Sequence, residues 1–77
     1  MHTHRTDIII HIDESLPDDE IHALERELGC HAGVYSACVS DRARHLMLVD
    51  YDPEGVKATD LLGMVRRQGV GAELVGL

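Results

Sequence analysis

The chain has 77 residues, with 7 Lys and Arg against 14 Asp and Glu for a formal charge of −7, and it contains two Tyr but no Trp or Phe. A chain this short buries only about 60% of the surface its unfolded form exposes, which excludes two domains and a deep catalytic cleft. An apolar fraction of 44% beside 27% charged residues excludes a disordered chain, and the acidic balance argues against nucleic acid or anionic lipid as a partner. Over residues 7–13, Ile8, Ile10 and Ile12 alternate with Ile9, His11 and Asp13, the period of a strand with one buried face. Residues 1–6 before it read as an arm. Ser15-Leu16-Pro17-Asp18-Asp19-Glu20 supplies a capping hydroxyl, a proline for a first turn and acids for the positive end of a helix dipole. The spacing of Ile21, Leu24 and Leu28 then predicts a helix over 17–28, stopped by Gly29.

A second strand is expected over 34–39 and a third over 45–51, with Met47, Val49 and Tyr51 on one face and a polar hairpin loop over 40–44 between them. Asp52-Pro53-Glu54-Gly55 is a turn, and Leu61, Leu62, Met64 and Val65 mark a second helix over 58–68, ended by Gly69. Gly63 inside that helix costs about 1 kcal/mol against Ala, which implies a close contact there. Residues 70–75 form a short last strand. For one domain over 1–77, this order has one compact solution, an α+β ferredoxin-like βαββαβ sandwich. Its four-stranded antiparallel sheet has the order 4-1-3-2 and both helices on one face. Ile10, Ile12, Leu24, Leu28, Val49, Leu61 and Val65 are the expected core.

Three segments carry a resemblance. Gly33-Val34 before the second strand, Val49-Asp50-Tyr51-Asp52-Pro53 at the end of the third, and the closing Gly69-Val70-Gly71-Ala72-Glu73-Leu74 resemble the heavy-metal-associated domain of small copper chaperones, mercury-binding proteins and metal-transporting ATPase tails. The resemblance implies a small metal-binding or metal-trafficking protein that meets other proteins. It also implies a Met-x-Cys-x-x-Cys metal loop between first strand and first helix. Here that stretch is Glu14-Ser15-Leu16-Pro17-Asp18-Asp19, which offers hard oxygen where soft Cu(I) wants thiolate. Copper(I) binding in the family's usual way does not carry over.

Other chemistry is sparse. Ile8-Ile9-Ile10 is too short for a signal-peptide core or a membrane span, so the chain reads as cytoplasmic, and its Cys30 and Cys38 as free thiols. Nothing resembles a catalytic triad, a phosphate loop or paired C-x-x-C, and the expectation is no enzyme. Six histidines leave a chemical means of holding a divalent transition metal, Zn, Ni or Cu. His22 falls on the solvent face of the first helix, and His45 falls beside Glu14. The arm places His2 and His4 near the Gly29-Cys30-His31 turn, which makes His2, His4, Cys30 and His31 the candidate metal ligands. The uncovered sheet face carries Ile9, His11, Cys38, Leu46, Leu48 and Val75, a strip suited to a protein partner or to a homodimer. Two functional readings follow: metal binding or trafficking through a non-standard site, or a metal-free protein-protein interaction or regulatory module that retains the fold.

Overall fold

The structure, a computed structural model, describes residues 4–75. In chain order it contains β1 (Thr6–Ile12), α1 (Asp18–Gly29), β2 (Val34–Ser40), β3 (Ala43–Tyr51), α2 (Ala58–Arg67) and β4 (Ala72–Val75). The sheet order is β2-β3-β1-β4 with every neighbouring pair antiparallel, the ferredoxin-like arrangement that the element order implies. Alternation along the strands turns Ile8, Ile10, Ile12, Met47, Val49 and Tyr51 to one face. Leu24 and Leu28 of α1 and Leu61, Met64 and Val65 of α2 close over that face as one core. All seven expected core residues are buried, each at 3% exposure or less.

The boundaries differ from expectation where local chemistry is decided by contacts. Ser15 does not cap α1. Pro17 is the N-cap residue, with extended backbone and no side-chain cap bond, and its carbonyl accepts from the Glu20 and Ile21 amides. Gly29 does not end α1 by a left-handed turn either. It is the last helical residue, Cys30 follows in right-handed backbone, and the reversal falls at Gly33, where φ is +91°. The expected loop over 40–44 contracts, because Ser40 pairs with Ala43 across a register shift after Val39. Only Asp41 and Arg42 remain in the turn. Gly63 meets no close neighbour: a Cβ there would find only Arg67 Nη1, at 4.0 Å. β1 opens at Thr6, inside the stretch expected as an arm, and His2 lies outside the described residues.

The outer edges of the sheet are occupied by helix side chains. Val39 on β2 donates its N–H to Glu25 Oε2 of α1 at 2.8 Å. On β4 the Ala72 carbonyl accepts from Arg66 Nε and Nη2 of α2 at 3.0 and 2.9 Å. These bonds blunt both edges against another strand and leave the face opposite the helices as the broad open surface.

Candidate metal centre

The β1–α1 loop is built around one glycine. Asp13 donates its N–H to the Gly71 carbonyl at 2.8 Å, and the Gly71 N–H donates to both Glu14 carboxylate oxygens at 3.0 Å. A Cβ on Gly71 would stand 2.8 Å from Asp13 Oδ2 and from Glu14 Oε1, so the close approach in this fold is at Gly71. Arg44 of β3 holds the other side of the loop. Its Nη2 donates to the Leu16 carbonyl at 3.3 Å and to Asp18 Oδ1 at 2.5 Å. Hydrogen bonding and charge from Arg44 hold the Asp18 carboxyl below its ordinary range. The loop therefore spends its acids on its own backbone and on an arginine, which suits a helix start and leaves no soft donor for Cu(I).

Two imidazoles stand at this end of the sheet. His45 Nδ1 lies 2.7 Å from the Ile12 carbonyl, and His11 Nδ1 lies 3.1 Å from Asp13 Oδ1. Their ring centres are 5.9 Å apart with planes 17° from parallel, and both residues are half-buried. The pairing expected between His45 and Glu14 does not form, because Glu14 is committed to Gly71. Strand alternation carries no signal for this pair, since His45 shares the parity of the buried Met47 and Val49 while His11 lies opposite Leu46 on the other face; the rings approach only at the sheet end, where the hairpin register shifts after Val39. The turn at Asp41 and Arg42, which fixes where β3 begins, was not readable.

Of the expected metal ligands, His4 and those of the α1–β2 turn lie at the opposite end, where Asp52 donates its N–H to the Gly33 carbonyl at 2.7 Å. His4 Nε2 is 2.8 Å from Glu54 Oε2, and the His4 carbonyl accepts from the Tyr35 hydroxyl at 3.4 Å. His31 turns Nδ1 to the carbonyl of Ala32 at 2.7 Å. Cys30 and Cys38 are exposed free thiols. Among the described residues, no three His, Cys, Asp or Glu side chains converge to hold a metal ion.

Next to these ends lies the open sheet face. Cys38 pairs with Leu48, Leu48 with Ile9, and Ile9 with Val75, so four of the expected strip residues form one apolar row across all four strands. His11 and Leu46 form the next row with Glu73, and Asp7, Asp50 and Ser36 flank the other side. Leu48 and Val75 keep 44% and 40% of their surface exposed. Arg5 pairs with Asp50 and lies 4.7 Å above the Tyr35 ring, which fastens the start of β1 over this face. Among the described residues, no helix is long and apolar enough to cross a membrane.

No protein-family model matches the chain, and no curated protein matches its sequence. Solved structures do match. A copper binding domain from HMA7, a P-type ATPase, superposes with a TM-score of 0.81 at 23% identity, covering 91% of this chain and 93% of that one. The CopZ metallochaperone gives 0.79 at 22% identity over 88% of this chain and 100% of that one. Oxidized MerP from Ralstonia metallidurans CH34 gives 0.82 at 10% identity over 94% and 99%. At these identities the likeness establishes the fold: from β1 to β4 this chain has the architecture of a copper-binding domain and of a metallochaperone.

Proposed function

We propose that this chain is a small, non-enzymatic metal-binding or metal-trafficking protein that uses a non-standard site in place of a thiolate loop. The observation that carries the reading is the end-to-end likeness, at a TM-score of 0.81, to a domain described as copper binding. The lack of thiolates over Glu14 to Asp19 disfavours Cu(I) in that loop, and the candidate ligands His2, His4, Cys30 and His31 suit divalent Zn, Ni or Cu. The metal-free interaction module is the competing reading. Metal analysis of untagged protein purified without chelators, followed by titration with Zn(II), Ni(II), Cu(II) and Cu(I), separates the two. The expected result is one divalent ion per chain and no retention of Cu(I) against a Cu(I) chelator. A chain that takes up none of the four ions leaves the interaction module as its function.

The partner in this reading is another protein, and a second copy of the chain meets the requirements of the open face. A two-fold axis along the Cys38–Leu48–Ile9–Val75 row stacks each apolar residue on its own mate. It also sets the His11 end of one copy over the Asp7 and Asp50 end of the other. Sedimentation should show dimer growing with concentration, and Leu48→Lys should abolish it by placing a charge in the row. A strict monomer at high concentration, unchanged by Leu48→Lys, rejects the dimer.

A further inference from the structure

We propose that β1 and its two flanks carry a self-complementary charge sequence that sets the register of a face-to-face homodimer, with Asp7 of each copy meeting His11 of the other and Arg5 meeting Asp13. The proposal rests on the open-face dimer above and names the contacts that select it. Every second residue along this stretch reads Arg5, Asp7, Ile9, His11, Asp13, which is basic, acidic, apolar, basic, acidic. These residues share the open face. Ile9 and His11 alternate with the buried Ile8, Ile10 and Ile12, and Asp7 stands opposite Asp50. At the flanks, Arg5 is joined to Asp50 and Asp13 Oδ1 is 3.1 Å from His11 Nδ1.

The charge sequence is antisymmetric about Ile9. A two-fold axis that crosses β1 at Ile9, in the plane between the two sheets, reverses the strand direction in the second copy. Each residue then comes over the one equally far on the other side of Ile9: His11 over Asp7, Asp13 over Arg5, and Ile9 over its own mate. Every charged contact along β1 joins a base to an acid. Packed sheets lie about 10 Å apart, a gap that facing side chains of this size span. Their strands cross at about 30°, which separates the outer pair more than the inner one, and the outer pair contains the long arginine. Leu48 is the cross-strand neighbour of Ile9, so the same axis stacks the apolar row. Along β3 it brings Leu46 over Asp50, whose carboxylate is already held by Arg5.

Other placements of the second copy bring like charges together. An axis through Ile8 sets Arg5 over His11, and an axis through Ile10 sets Asp7 over Asp13. Moved to Asp7 or to His11, the axis sets that residue on its own mate. An axis running along β1 stacks every charged residue on itself. Exposed ion pairs add little affinity one by one, so the apolar row supplies the contact and the charges reject the wrong registers, which is how charge patterns confer specificity.

The test is a charge swap in untagged full-length protein, read by sedimentation at neutral pH and low salt, where charge contacts are least screened. Wild type should dimerise. Arg5→Asp and Asp13→Arg should each self-associate at least tenfold more weakly, because each sets like charges across the axis on both sides. An equimolar mixture of the two variants should recover a mixed dimer close to wild-type affinity, since each chain then opposes the reversed charge of the other. Loss of the Arg5–Asp50 contact is the same in Arg5→Asp alone and in the mixture, so it cannot produce that recovery. Both residues are exposed, and circular dichroism should be unchanged. The inner pair gives an independent form of the test, with Asp7→Lys and His11→Asp expected to fail alone and to associate when mixed. Single variants that dimerise like wild type, or mixtures that do not recover, overturn this register and leave the dimer itself to the Leu48→Lys result. A wild type that stays monomeric overturns both.

Discussion

Gly63 and Gly33 look alike in sequence and differ in what the backbone asks of them. Gly63 sits in right-handed helix with open space where a Cβ would go, so Gly63→Ala should stabilise the fold by about 1 kcal/mol through helix propensity. Thermal unfolding should show a midpoint about 4–8 °C higher. Gly33 adopts φ +91° and a Cβ there would meet Val56 Cγ1 at 3.2 Å. Gly33→Ala should therefore destabilise by roughly 1–2 kcal/mol or more, read as a lower denaturant midpoint. Among the acids, the hydrogen bond from Arg5, with its charge, holds the Asp50 carboxyl below the ordinary range against a smaller opposing effect of burial. A carboxyl depressed in the folded state stabilises above its unfolded pKa and loses that contribution as pH falls through the folded value. Asp18 beside Arg44 behaves alike. Both contributions are present at neutral pH and vanish in acid. Replacing Arg5 by Ala should return the Asp50 titration, followed by carboxyl carbon NMR, toward the usual carboxylate range.

At the scale of elements, strand and helix identity follow from periodicity, while their ends follow from partners. The alternation of Ile8, Ile10 and Ile12 makes β1 whatever surrounds it, whereas β3 begins at Ala43 only because Ser40 and Ala43 pair. The edge bonds are also an element-level device. Glu25 reaches from α1 to the Val39 amide, so Glu25→Ala should open that N–H to solvent and speed its hydrogen exchange relative to neighbouring β2 amides. Exchange of Val39 unaffected by the substitution would mean that the carboxylate does not protect the edge. A dimer forming through β2 in Glu25→Ala, distinct from the dimer proposed for the open face, is the further outcome expected from an exposed edge.

For the whole molecule, one core holds everything. Leu24 is 3% exposed, and Ile10, Leu28, Val49, Leu61 and Val65 are fully buried. Truncating Leu24 to Ala should cost about 2–5 kcal/mol, against a total of roughly 4–12 kcal/mol for a domain of this length. Chemical denaturation of Leu24→Ala is expected to show a protein near the limit of folding. A native-like midpoint in that variant would place α1 in a different rotation over the sheet. The open sheet face, with Leu48 and Val75 at 44% and 40% exposure, lies outside this core. Substitution of the exposed Leu48 should accordingly cost little stability.

The element order, the buried residues and the lack of a thiolate loop were all legible in the chain itself. Each rests on local pattern: period two in Ile8-Ile9-Ile10-His11-Ile12, helical spacing in Ile21, Leu24 and Leu28, and the plain residue types of Glu14 to Asp19. What the tertiary structure alone decided are pairings between residues distant in sequence. Gly71 rather than Gly63 meets another segment because β4 returns beside β1, and Glu14 is drawn to the Gly71 amide 57 residues away. His11 and His45 meet at the sheet end because β3 runs antiparallel to β1 and the β2–β3 register shifts between Val39 and Ser40. A shift of one residue there would send every β3 side chain to the opposite face, and it is the burial of Met47, Val49 and Tyr51 that selects the β1–β3 register.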